Sequence, residues 1–150
     1  MPAVSEGEKL VGAAARLAPF WGRWRVEGDV FASAYGPPGR WVSDESCEWL
    51  PGARFLVNRW DARVGERDFQ GMAVFGYDPN RGYFARFFDN AGNSPEYRVA
   101  IVRATWTLTG DGQRAIYEFG AGRVEIRWDW RNTSGWHPLC TLQARRINGA

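Results

Sequence analysis

Histidine occurs once in the 150-residue sequence and cysteine twice, which leaves no material for a metal site built from several imidazoles or thiolates. Cys47 and Cys140 are too widely spaced for a zinc framework, and in a reducing compartment both are expected as buried thiols. No apolar run approaches the ~20 residues that cross a bilayer as a helix. Residues 1–15 contain Glu6, Glu8 and Lys9 and lack the continuous apolar stretch of a secretory signal, so a cytoplasmic protein without a membrane partner is expected. A charge excess is missing as well. Nineteen basic residues against 17 acidic ones leave a formal net charge of +2, with the arginines scattered among the acids, a pattern that argues against a nucleic-acid partner. There is no nucleophile elbow, phosphate-cradling glycine loop or dinucleotide fingerprint, so covalent catalysis is disfavoured and no cofactor is expected.

What the chain has in excess is aromatic surface: nine Trp, nine Phe and five Tyr. Each ring carries a large apolar area that water penalises, so at this density the rings must fill a core or line a cavity. A chain of this length is expected to fold as one domain, residues 1–150, with a core that needs neither disulfides nor metals.

The hydrophobic period changes once along the chain. Ser5 and Glu8 form a capping box, and Leu10, Val11, Ala14 and Leu17 recur at helical spacing up to Pro19, which predicts a short N-terminal helix within residues 1–19. Beyond it the period is two. Trp24, Val26, Gly28 and Val30 alternate with Arg25, Glu27 and Asp29, and Trp41, Ser43, Glu45, Cys47 and Trp49 share one face of the next segment. Further strands are predicted over 54–62, 69–77, 83–90, 97–103, 104–109, 114–119, 123–131 and 136–145, joined by short segments rich in Gly, Asn, Asp and Pro. Connections this short require antiparallel neighbours. About ten strands in such a meander predict an all-β, up-and-down barrel, because closure removes the exposed edges of a long sheet.

Four segments carry a family resemblance: Gly22-Arg23-Trp24, Glu48-Trp49-Leu50-Pro51-Gly52, Gly76-Tyr77-Asp78, and Phe88-Asp89-Asn90-Ala91-Gly92-Asn93. Through them the chain resembles a family of small bacterial domains of the calycin, or lipocalin-like, superfamily. The resemblance implies a barrel with ligand-binding capacity and lends no catalytic residues. A neighbouring calycin group binds haem through a histidine, which makes a haem-binding barrel an alternative resting on His137. Strand parity argues against it: if Trp136, Pro138, Cys140 and Leu142 face inward, His137 faces out, unless Pro138 introduces a bulge.

Glu45 is the most informative polar residue, since alternation places it among Trp41, Ser43, Cys47 and Trp49. A carboxylate there either pairs with a cation, Arg59 on the next strand being the candidate, or has its pKa raised by desolvation and serves as a general acid or base. Asp89 and Asn90 fit ordinary hairpin-turn chemistry and equally a ligand contact at a barrel mouth. The leading functional expectation is a cavity for a small apolar or aromatic molecule, lined by Trp24, Trp41, Arg59, Phe75, Phe88, Asn90, Tyr97 and Trp128. The alternative is a cofactor-independent cyclase, isomerase or dehydratase using Glu45 with Tyr77 or Asp89. A structural barrel with a filled interior is the third reading, and a homodimer is left open as a partner.

Overall fold

The computed structural model describes residues 12–147. A helical turn at 12–14 runs into a 3₁₀ helix, Ala15–Phe20, and ten strands follow: β1 (Gly22–Val30), β2 (Gly39–Trp49), β3 (Leu56–Val64), β4 (Arg67–Asp78), β5 (Gly82–Asp89), β6 (Glu96–Val102), β7 (Thr105–Thr109), β8 (Gln113–Gly120), β9 (Arg123–Asn132) and β10 (Gly135–Arg146). Each strand pairs antiparallel with the next, and β1 pairs with β10, closing the barrel. The expected meander is therefore present strand for strand. The capping box and the apolar positions Leu10 and Val11 lie outside the described residues. No helix among those residues is long and apolar enough to cross a membrane.

Two-residue alternation sorts each strand into an inner and an outer face. On the outside, charges of opposite sign sit across from one another, as in Arg25 with Asp44 at 2.9 Å, Arg40 with Asp29 at 3.3 Å and Arg114 with Asp129 at 3.0 Å. Pairs this exposed add little stability, and their main effect is to keep the outer face solvated.

The inside is packed unevenly along the barrel axis. At the end where β1 begins, the 3₁₀ helix drops Leu17 and Phe20 into the opening, and both are buried. Phe20 lies within 6 Å, centroid to centroid, of Trp24, Phe75, Trp106, Tyr117 and Phe119, most of them edge to face. The Trp24 indole N–H donates to the Phe20 carbonyl at 3.0 Å. Arg146 covers the same end from outside, its guanidinium 4.6 Å from the Trp24 ring and donating to the carbonyls of Pro19 and Trp21. Ala14 is also buried, so the described part of the helical segment covers one barrel end, as its apolar spacing requires.

The other end has no such plug. Trp41, Phe69, Phe87 and Trp128 occupy inward positions and pack on the core, yet each stays partly exposed. Gly71 serves this half by its lack of a side chain, because a Cβ there would collide with the Trp60 indole. Phe20→Ala removes the ring that five others pack on, and is expected to destabilise the fold by about 3–5 kcal/mol. A urea unfolding midpoint indistinguishable from wild type would show that the plug is dispensable.

Candidate functional site

β2 and β3 together build the polar centre of the interior. Trp41, Ser43, Glu45 and Cys47 alternate inward on β2, and on β3 the inward set is Leu56, Asn58, Trp60 and Ala62, with Glu45 directly opposite Trp60. A chain of hydrogen bonds links them. The Trp41 indole N–H donates to Ser43 Oγ at 2.9 Å, Ser43 Oγ donates to Glu45 Oε2 at 2.7 Å, and Asn58 Nδ2 donates to Glu45 Oε1 at 3.2 Å. Asn58 also reaches the Ser46 carbonyl and Cys47 Sγ, both at 3.3 Å. Ser43 and Asn58 are themselves buried.

Every hydrogen-bond partner of the Glu45 carboxyl is thus neutral. Burial strips water from the carboxylate and raises its pKa, outweighing the hydrogen bonds from Ser43 and Asn58 that pull it down. Part of the Glu45 surface nevertheless remains accessible to solvent. Glu45 therefore sits on the inner face of the middle of a strand without being fully closed off by its neighbours. Its charge is felt by its neighbours. Burial first, and then Glu45, push the thiol of Cys47 and the phenol of Tyr117 well up. Cys140 is pushed up to about 12, chiefly by burial. Both cysteines are free, buried thiols.

The wall around this carboxyl is aromatic. Phe69 links Trp41 and Trp60 at 5.5 and 5.8 Å, Phe87 joins Trp60 to Trp128 at 5.8 and 5.6 Å, and Tyr97 closes on Phe87 and Trp128 at 5.2 and 5.1 Å. The Tyr97 phenol, buried and raised in pKa for that reason foremost, donates to Gln113 Oε1 at 3.3 Å. The buried indole nitrogen of Trp60 has no protein partner. Two shallow hollows on the outer surface, one over Gly28 and one at the β5–β6 boundary, are not lined by Glu45.

The residues singled out in the sequence fall in several places. Trp41 and Glu45 are linked through Ser43, and Tyr97 and Trp128 pack together, the two groups joined through Phe69, Trp60 and Phe87. Trp24 and Phe75 belong to the filled half, against Phe20. Tyr77 packs on Tyr83 at 4.9 Å, away from Glu45 towards the closed end. Asp89 is spent on its own hairpin, where one carboxylate oxygen accepts from the backbone N–H of Ala91 and Asn93 at 2.9 and 3.0 Å.

Two positions need correction, Arg59 and Phe88, whereas Asn90 lies in a turn as expected. Arg59 faces outward opposite Ser46, since β3 turns Asn58 and Trp60 inward, and so it does not pair with Glu45. Phe88 is 42% exposed on the outer face, beneath the Arg86 guanidinium, because β5 turns Ala85 and Phe87 inward. Asn90 is exposed and binds the Asp68 carbonyl. His137 also departs from simple parity: a bulge between Pro138 and Cys140 shifts the register and puts His137 opposite Trp130, while Trp136 moves outside, 4.2 Å from the Arg114 guanidinium. The His137 Nε2 is 2.9 Å from both Ser134 Oγ and Asn132 Oδ1. Asn58, Trp60, Phe69 and Phe87 escaped the sequence reading. Alternation of Leu56, Asn58, Trp60 and Ala62 was the signal that could have found the first two.

Closed antiparallel meander, helical plug and aromatic interior together define an up-and-down β-barrel. The chain belongs to the DUF1579 family, described as a protein of unknown function, which matches residues 13–112. No curated protein matches the sequence. Among solved structures it is similar to Rv2717c from M. tuberculosis, with a TM-score of 0.71 and 11% identity over 91% of this chain and 98% of that one. It is similar also to the S-type phycobiliprotein lyase CPES from Guillardia theta, with a TM-score of 0.59 and 10% identity over 97% and 100% of the two chains. Identities this low speak to the fold alone.

Glu45 makes stability depend on pH in a definite sense. A folded-state pKa above the unfolded one favours folding while the group is protonated, and that advantage is lost as pH rises through the raised value. Glu45→Gln keeps the shape without the ionisation. Relative to wild type, the variant should gain thermal stability as pH rises from acid to neutral, with the two converging at acid pH. Melting curves whose difference is flat with pH would show that Glu45 titrates normally.

Proposed function

We propose that this protein binds a small apolar or aromatic molecule in the open half of its barrel. The supporting observation is that Trp41, Phe69, Phe87 and Trp128 face inward and pack on the core yet stay partly exposed, in the half that contains Glu45. Apolar walls with a few placed polar groups are the usual make-up of a small-molecule site. Ten strands enclose more interior than side chains need to fill, which is consistent with such a lumen. The cyclase or isomerase reading pairs Glu45 with Tyr77 or Asp89. Tyr77 and Asp89 are engaged elsewhere, so binding is the better-supported reading.

Adjacent residues on opposite faces of β5 provide the test. Titration with the uncharged fluorophore N-phenyl-1-naphthylamine should give saturable enhancement. Phe87→Ala, which removes a ring from the lumen wall, should weaken binding about tenfold. Phe88→Ala, on the outer face, should leave it within about twofold, a margin of a few tenths of a kcal/mol. Absence of saturation, or equal losses in both variants, would overturn the proposal.

A further inference from the structure

The lumen is electrically one-sided. Glu45 lies at its centre with only Ser43 and Asn58 as hydrogen-bond partners, and none of the ion pairs among the described residues involves it. The cations nearest in the fold are all committed away from it. Arg59 is outside, Arg146 is bound over Trp24 at the closed end, and Arg67 at the open rim donates to the Pro37 carbonyl. Asp89, in the inward phase of β5 near the mouth, adds a second acid on the approach. His137 at the rim is held by Ser134 and Asn132. Trp60 lies directly opposite Glu45 and Trp41 is linked to it through Ser43, and ring contacts continue from these two through Phe69 and Phe87 to Trp128.

We infer that the molecule held in the lumen is an organic cation with an apolar or aromatic body, its ammonium group seated against Glu45 within the ring of Trp41, Trp60, Phe69, Phe87 and Trp128. The inference rests on the binding reading above and names the ligand's charge. A neutral apolar ligand covering Glu45 would hold the carboxyl protonated and would bind less well as pH rises through its midpoint. An anion would be repelled across the same low-dielectric space. A cation satisfies both elements of the site at once: the carboxylate gains its counter-charge, and the π faces attract the same centre. The choice of ring over aliphatic side chain at all five of these positions, which a purely apolar pocket does not require, follows from the same requirement.

Phenyltrimethylammonium and tert-butylbenzene have nearly the same shape and differ by a permanent charge, so the pair isolates the electrostatic part of recognition. Saturation-transfer NMR and tryptophan quenching at pH 8 should show the cation binding at least about tenfold tighter than the hydrocarbon. In Glu45→Gln the two should bind within about threefold of each other, because the counter-charge is gone. Equal or tighter binding of tert-butylbenzene to the wild type would overturn the inference while leaving the binding reading intact. Saturable binding of neither would end both. A cation preference that survives Glu45→Gln would place its origin outside the lumen, and would equally overturn it. Should the variant fail to fold, the wild type still decides: the cation should lower the titration midpoint of the Glu45 carboxyl carbon resonance. An unchanged or raised midpoint would refute the assignment.

Discussion

Closing ten antiparallel strands into a ring creates an interior wider than the aliphatic side chains of its own walls can fill, and the packing of this protein follows from how that space is divided. At one end the chain solves the problem with a residue from outside the sheet. Phe20 enters from the 3₁₀ helix, five aromatic rings close on it, and Trp24 and Arg146 tie the helix to β1 and β10. Voids there would forfeit dispersion contacts on every side, so large rings in edge-to-face contact are the economical filling.

At the other end the inward rings meet one another, as Phe87 meets Trp128, and several stay partly exposed. Glu45 gains its character from this division. Were it on the outer face, as Asp44 and Glu48 are, it would be one more solvated acid in the charged exterior. Turned inward, it is held by Ser43 and Asn58, loses most of its hydration, and resists ionisation. The same burial, and then the charge of Glu45, raises Cys47 and Tyr117. A hydrogen-bonded carboxyl in an aromatic lumen is the structural basis for both the binding reading and the assignment of ligand charge.

Much of the fold was legible because the strands announce themselves through period-two alternation and through Gly, Asn and Pro at the connections. On β9, Val124, Ile126 and Trp128 against Arg123, Glu125 and Arg127 leave no doubt about which side faces in. The inward position of Glu45 was legible on the same ground. Its partner was not. Arg59 and Asn58 are neighbours in sequence, and a one-residue difference in strand phase exchanges a buried ion pair for a neutral hydrogen bond. Phe87 and Phe88 present the same difficulty, since both faces of that strand are aromatic and alternation of hydrophobicity carries no signal. At His137 the obstacle was a bulge that parity cannot anticipate, although Pro138 marked where it would fall.

The sequence by itself determined the strand count, the antiparallel order and the sidedness of most strands, because these depend on local period and on turn chemistry that neighbouring residues supply. It also determined that the interior would be aromatic and would contain one carboxyl on the face shared by Trp41 and Cys47. Only the tertiary structure decided which end of the barrel is plugged, which residues meet Glu45, and which inward rings stay partly exposed. Those outcomes depend on register between strands and on the meeting of residues far apart in the chain, such as Phe20 with Trp106 or Phe87 with Trp128. No local pattern encodes such distances, since they are set when ring closure fixes all ten registers at once.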